Sequence, residues 1–202
     1  MAVYTKINKK EISYINKKFE IDRITKFKGI KQGIENTNYL LKSKNKKFIL
    51  TIFEKRVSQK EIPFFMKLMD QLNSSRINCP KPLKNKNGNY LIKIKNKTAC
   101  IVSFLSGKDK KSLNLKNCYD IGKLIAEMHQ STKKINLFRK NSMGIKNLNP
   151  LLNSIKFKSK KFINIEKFLK TNFKDIKNKW PKKLPNGIIH GDLFIDNIFF
   201  KN

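Results

Sequence analysis

Acidic side chains are scarce in this chain: 14 Asp and Glu stand against 46 Lys and Arg, a net charge of +32 at pH 7. No apolar run approaches the ~18 residues of a membrane span, so no membrane association is expected. The opening M-A-V-Y-T-K lacks the apolar centre of a secretory signal. Cysteine is limited to Cys79, Cys100 and Cys118, widely spaced and odd in number, with no C-x-x-C. That pattern excludes a disulfide framework and a zinc site. It suits reduced, partly buried thiols and a cytoplasmic location. Internal repeats and targeting tracts are also missing. The excess of lysine invites a nucleic-acid reading, because such a surface attracts phosphate backbones. Yet the lysines form no single block and come with no nucleic-acid-binding signature. Lys, Asn and Ile are abundant in every segment, as A/T-rich coding DNA produces, so no specific nucleic-acid partner is expected.

What the chain does have is enough apolar material for a core: 39% of residues, with 15 Phe among them. Ile12, Ile15 and Phe19 recur at helical spacing and predict a short amphipathic helix over residues 9 to 19. Residues 20 to 56 read as strands: Ile21, Ile24 and Phe27 leading to Gly29, then Tyr39–Leu41, then Phe48–Phe53, where β-branched and aromatic residues cluster. A helix follows, with Phe65, Leu68, Met69 and Leu72 on one face. It begins either at Ser58, which has capping-box spacing to Glu61, or near Ile62 with Pro63 in its first turn. Residues 79–82 read as an extended connector and Asn87-Gly88 as a turn. The hairpin Tyr90–Ile94 and Thr98–Phe104 comes next, turning at Asn96-Lys97. Beyond Gly107 the character becomes helical. One helix spans 114 to 130 with Cys118, Ile121, Leu124, Ile125 and Met128 on a face. Residues 143 to 150 read as loop. A second helix spans 161 to 177 with Phe162, Ile165, Phe168, Leu169 and Ile176.

The most specific stretch is the last one, N-G-I-I-H-G-D-L-F-I-D-N-I-F-F, residues 186 to 200. Its flanks, Ile188-Ile189 and Ile198–Phe200, are expected to pair as short strands around a polar loop. Asp192 and Asn197 have the D-x-x-x-x-N spacing in which the Asp accepts a substrate hydroxyl proton and the Asn holds a magnesium ion.

Strands with one helix, a connector, helices and then H-G-D-x-x-x-x-N resemble the small-molecule branch of the protein-kinase-like fold, in which H-G-D replaces H-R-D. Within that branch four stretches are similar to the homoserine kinases: M-A-V-Y-T, G-I-E-N-T-N-Y-L-L, F-I-L-T-I-F-E with I-P-F-F-M-K-L-M, and the loop itself. The resemblance implies an α+β, two-lobed fold. An antiparallel-sheet nucleotide lobe takes residues 1–104, a hinge 105–107, and part of a mainly helical substrate and catalytic lobe 108–202. It implies ATP- and Mg²⁺-dependent phosphorylation of the L-homoserine hydroxyl, on the route to threonine. Rival readings are a kinase for choline, methylthioribose or an aminoglycoside, and a non-catalytic basic nucleic-acid-binding protein. The sequence sets no oligomeric state.

Carried onto this chain, the resemblance makes Asp192 the catalytic base and Asn197 the magnesium ligand. It places Gly29, Gly33, Asn36 and Thr37 in a turn over the ATP phosphates, and Ser103 and Leu105 in a hinge that bonds adenine. His190 and Asp196 are read as structural, Glu61 as a helix-start residue or a kinase-like helix glutamate. Thr51 stands where most kinases of this fold have a phosphate-binding Lys, as in the homoserine branch. Ile195 replaces the usual Pro of the loop. The second metal ligand of the family falls in an Asp-Phe segment beyond Asn202. The 202-residue chain alone is therefore expected to be inactive and to expose Ile198, Phe199 and Phe200.

Overall fold

The computed structural model describes residues 3–33, 35–54, 58–155, 162–181 and 183–201, with the side chain of Ile163 left aside. Met1, Ala2 and Ile34 of the motifs above, and Lys161 at the head of the last helix, lie outside the described residues. The chain divides into two compact units, one of Met1–Leu137 with Gly187–Asn202 and one of Phe138–Asn186.

The first unit is built on a five-stranded antiparallel sheet of order β1-β2-β3-β5-β4. Its strands are β1 (Lys26–Gly29), β2 (Thr37–Lys42), β3 (Lys47–Ile52), β4 (Leu91–Ile94) and β5 (Lys97–Ser103). Alternation sends Tyr39, Leu41, Phe48, Leu50, Ile52, Ala99 and Ile101 to one face. Helix α1 (Lys9–Lys18) covers that face with Ile12 and Ile15, while Phe19 just beyond it is buried too. Ile15 and Phe19 are each worth about 2–3 kcal/mol of burial. Asn8 and Glu11 close a capping box that starts α1. On the opposite face Cys100 and Val102 meet Ile62 and Met66 of helix α2 (Ile62–Ser74), with Ile49, Phe53, Phe65, Met69, Tyr90 and Leu91 around them. The β4–β5 hairpin turns on Lys95 and Asn96, both at positive φ (47° and 64°), the type I′ geometry that matches strand twist.

Helix α3 (Leu115–Thr132) belongs to the same unit. Of its expected face, Ile121, Ile125 and Met128 are half-buried, whereas Cys118 and Leu124 are exposed. The second unit holds α4 (Ile145–Ser154) packed on α5 (Ile163–Lys179).

Three expectations are corrected here. The Ser58–Glu61 capping box is absent: Glu61 is the N-cap with helical backbone and no side-chain cap bond, and its N–H goes to the Ser58 carbonyl (2.9 Å). Pro63, in the first turn, has no N–H to give, so the helix starts where that donor is not needed. Residues 143–150 are expected as loop from the sequence, but a helix runs from Ile145 to Ser154 through Pro150. Half-buried Ile145, Leu148 and Leu152 fall at i, i+3 and i+7 and pack the helix on α5, which outweighs the proline. The flanks of the terminal loop do not pair with each other; Phe200 bridges to Lys108 instead.

One polar cluster joins the N-terminus to the sheet. The Thr37 hydroxyl, fully buried, accepts the N–H groups of Tyr4 (3.0 Å) and Thr5 (3.1 Å) and donates to Glu54 Oε1 (2.7 Å). Thr5 Oγ1 also donates to Glu54 Oε1 (2.7 Å), and Lys97 Nζ bonds both Thr5 Oγ1 (2.7 Å) and Glu54 Oε2. Burial alone would raise the Glu54 carboxyl; the bonds from Lys97, Thr37 and Thr5 outweigh it and hold it below its ordinary value.

Thr37→Val leaves two backbone N–H groups and Glu54 without the hydroxyl, so it should cost about 2–4 kcal/mol. A urea midpoint measures this; a loss below about 0.5 kcal/mol contradicts the cluster's role.

Candidate active site

The loop from His190 to Asn197 closes on one backbone atom. Asn197 Nδ2 donates to the Asp192 carbonyl oxygen (2.7 Å), and so does the Phe194 N–H (3.1 Å). A 3₁₀ turn, Ile195–Asn197, brings Asn197 round to Asp192 and explains the five-residue spacing. Ile195, where proline is usual, starts that turn without the ring's help. Gly191 (φ +77°) reverses the chain before Asp192, whose N–H points at His190 Nδ1 (3.4 Å). His190 thus bonds backbone, as read from the sequence. With its amide nitrogen committed, Asn197 keeps Oδ1 free of any donor among the described residues. The Asp192 carboxylate is exposed beside it, with Oδ2 at 3.4 Å from Asn197 Nδ2. Both residues are exposed, so a carboxylate and an amide oxygen lie side by side on one small loop.

Those donors suit a hard cation. Among the described residues no three His, Cys, Asp or Glu gather as a metal site. Mg²⁺ needs no such cage: one or two protein oxygens beside phosphate and water oxygens are its usual set. Asn197 Oδ1, with Asp192 beside it, fits that requirement.

The exit of the loop is fastened to the segment after β5. Lys108 and Phe200 exchange both backbone bonds (3.0 and 2.9 Å), and Lys110 Nζ sits 4.6 Å from the Phe200 ring centroid. Gly107 (φ +147°) makes this approach possible, since a Cβ there would lie 2.9 Å from the Phe200 carbonyl oxygen and 3.0 Å from Phe199 Cβ. Phe199 is 55% exposed, whereas the pairing leaves Phe200 half-buried, as Ile198 is.

The second group of expected residues surrounds the β1–β2 turn. Gly29 ends β1 and Gly33 (φ +91°) lies in open space. Asn36 Oδ1 accepts the Glu54 N–H (3.3 Å), and its Nδ2 donates to no described residue. Thr37 is different: its hydroxyl has one donor and two acceptor sites, all taken by protein. Its backbone is paired with Ile52 of β3 in the sheet ladder, so Thr37 shapes the end of the turn. On the sheet face that α2 partly covers, register aligns Leu40, Ile49 and Val102, and beside them Asn38, Thr51 and Cys100. Leu40 and Ile49 are half-buried, an apolar strip at the open end of that face. Thr51 donates to Asn38 Oδ1 (2.8 Å). Ser103 gives its N–H to the Lys81 carbonyl (2.8 Å) and accepts the Lys81 N–H on Oγ (2.9 Å), whereas Leu105 bonds no described residue. Of the two hinge residues, Leu105 has the free backbone.

Sequence reasoning missed Thr5, Glu54 and Lys97. Thr5 and Lys97 are 92 positions apart, and no periodicity reports such a pairing. The only signal was that Thr5 and Glu54 stand in two of the quoted motifs.

Comparison with known proteins places these features. The phosphotransferase enzyme family matches residues 26–202. A homoserine kinase of Paramagnetospirillum magneticum is 35% identical over 201 residues, covering 99% of this chain and 62% of its own length. One from Rhizobium meliloti gives the same identity and coverage. The chain thus spans less than two thirds of the length of these curated relatives. Among solved structures, a spectinomycin phosphotransferase in complex with ADP and spectinomycin matches with TM-score 0.65 at 14% identity, over 98% of this chain and 67% of that one. A microcompartment-associated aminopropanol kinase gives TM-score 0.56 at 14% identity, over 72% and 49%. The structural likeness concerns fold: α+β and protein-kinase-like, as the sequence implied.

Gly107→Ala should prise open the Lys108–Phe200 bridge, at about 1–3 kcal/mol for the overpacked contact. Amide exchange at Lys108 and Phe200 should accelerate together. Unchanged exchange at both means the close approach is not what holds the loop exit.

Proposed function

The chain belongs to the phosphotransferase enzyme family, and from that premise we propose that the protein transfers the γ-phosphoryl group of ATP to the side-chain hydroxyl of L-homoserine. The products are ADP and O-phospho-L-homoserine, a step toward threonine. One observation carries the reading: the Asp192–Asn197 loop is closed on its own backbone, with the Asp192 carboxylate and the Asn197 amide side by side and both residues exposed. The names of the curated relatives support the choice of substrate.

In this reading Asp192 orients the homoserine hydroxyl and takes its proton as the oxygen bonds phosphorus and ADP leaves. Such a transfer needs positioning and charge stabilisation more than covalent help. Asn197 would hold Mg²⁺ through Oδ1, and the ion would neutralise phosphate charge. Gly29, Gly33 and Asn36 seat the phosphates in the turn that Thr37 ends. The Leu40–Ile49–Val102 strip roofs the adenine, and Leu105, beside Ser103, bonds its edge. Residues 1–104 act as the nucleotide lobe, 105–107 as the hinge and 108–202 as part of the catalytic lobe. With ATP and a free amino acid as substrates, the protein works in the cytoplasm, with no nucleic-acid or membrane partner. Thr51 keeps Asn38 in place but contributes no charge, so phosphate neutralisation would fall to a bound Mg²⁺ and to backbone N–H groups.

The test is ATP consumption by the complete gene product with L-homoserine, choline, methylthioribose and an aminoglycoside. Homoserine should turn over fastest; a faster rival overturns the substrate assignment. Asp192→Asn should lower kcat by about 10²–10⁴-fold with the KM for ATP nearly unchanged. A matching loss of ATP affinity would mean that Asp192 is a binding group instead.

A further inference from the structure

The motif M-A-V-Y-T has no part in the chemistry above, yet three of its residues touch both ends of the candidate phosphate turn. At the entry, Val3 Cγ2 lies against Gly29 so closely that a Cβ on Gly29 would be 2.9 Å away. At the exit, the N–H groups of Tyr4 and Thr5 both end on Thr37 Oγ1, at 3.0 and 3.1 Å. The strap is itself anchored. Tyr39 donates its phenol hydrogen to the Thr5 carbonyl (3.0 Å) and accepts the Ile7 N–H (3.2 Å), while Thr5 Oγ1 donates to Glu54 (2.7 Å). Glu54 in turn gives its N–H to Asn36 in the turn (3.3 Å). Between these clamped ends, Lys31, Gln32, Gly33 and Glu35 are exposed.

We propose that the strap Val3–Thr5 is a positioning clamp that fixes the spacing of Gly29 and Thr37, and so holds the 29–37 turn in the shape that seats ATP phosphates. The proposal rests on the reading of this turn as the nucleotide seat. Its physical content is preorganisation. The turn ends are held by contacts that do not involve the ligand, so phosphate binding orders less chain. Loosening the clamp lowers the fraction of turns in the competent shape, and apparent affinity falls by that fraction. The glycine at position 29 is explained by the same contact: β1 needs no positive φ there, but Val3 needs the room.

Val3→Gly removes the entry contact and leaves every hydrogen bond of the strap in place. Val3→Thr keeps the branched shape, with its hydroxyl free to turn to solvent. Two readouts on the complete gene product decide between outcomes. In the free protein, amide exchange across residues 29–37 should accelerate in Val3→Gly and stay near wild type in Val3→Thr. In equilibrium titrations with Mg·ATP, Val3→Gly should raise Kd by about tenfold and Val3→Thr by less than about twofold. kcat at saturating ATP should hardly move, a KM-against-kcat split that general destabilisation would not give. Unchanged exchange in Val3→Gly overturns the clamp, as does an ATP Kd within twofold of wild type or an equal defect in Val3→Thr. If wild type binds no ATP while Val3→Gly still loosens the turn, the nucleotide reading of the turn falls and the clamp on it stands.

Discussion

The sheet depends most on a hydroxyl with nothing left to give. Thr37 Oγ1 has capacity for one donated and two accepted hydrogen bonds, and all three are made inside the protein. Through it the N-terminal strap, the start of β2 and the carboxylate after β3 become one unit. Lys97, at the start of β5, closes the set from the far side through Glu54. Buried polar groups are costly when partly satisfied and rigid when fully satisfied. The turn between β1 and β2 therefore springs from a stiff base although most of its own residues are exposed.

The terminal loop is organised by the same logic with an amide in place of a hydroxyl. Asn197 uses its nitrogen to fix the loop on the Asp192 carbonyl, which turns its oxygen into the free end of the group. One side chain thus closes the loop and leaves its oxygen without a donor among the described residues. The bridge from Phe200 to Lys108 then ties this loop to the segment that follows β5. Under the proposed function, groups placed before the substrate arrives would serve phosphoryl transfer, and two independent fastenings hold this loop in place.

Much of this was legible in the residues. The alternation in β2 and β3 and the i, i+3 spacing of Ile12 and Ile15 gave the sheet and its covering helix. Each is a local pattern set by burial on one face. The spacing of Asp192 and Asn197 was legible for the same reason, since one turn of 3₁₀ helix fills the gap. The loop expected over 143–150 is helical from Ile145 because α4 packs on α5 despite Pro150. The expected pairing of Ile188-Ile189 with Ile198–Phe200 failed because apolar flanks do not name their partner; Phe200 found Lys108, and the Ile188 carbonyl faces Thr132 Oγ1 at 3.5 Å. Thr37 looked like a phosphate contact because a hydroxyl in a turn can serve either way. Only its three-dimensional partners, 17 to 33 positions away, show that its side chain is spent. Polar networks of that span leave no periodic trace in a sequence.

The central claim is that Asp192 and Asn197 serve phosphoryl transfer to a small alcohol, with L-homoserine as the acceptor. Phosphorus NMR of the complete gene product with Mg·ATP and L-homoserine tests it most directly. The account predicts a phosphomonoester signal, coupled to the homoserine side-chain methylene, growing in step with ADP. ADP formed only with inorganic phosphate, or no loss of ATP at all, would contradict it.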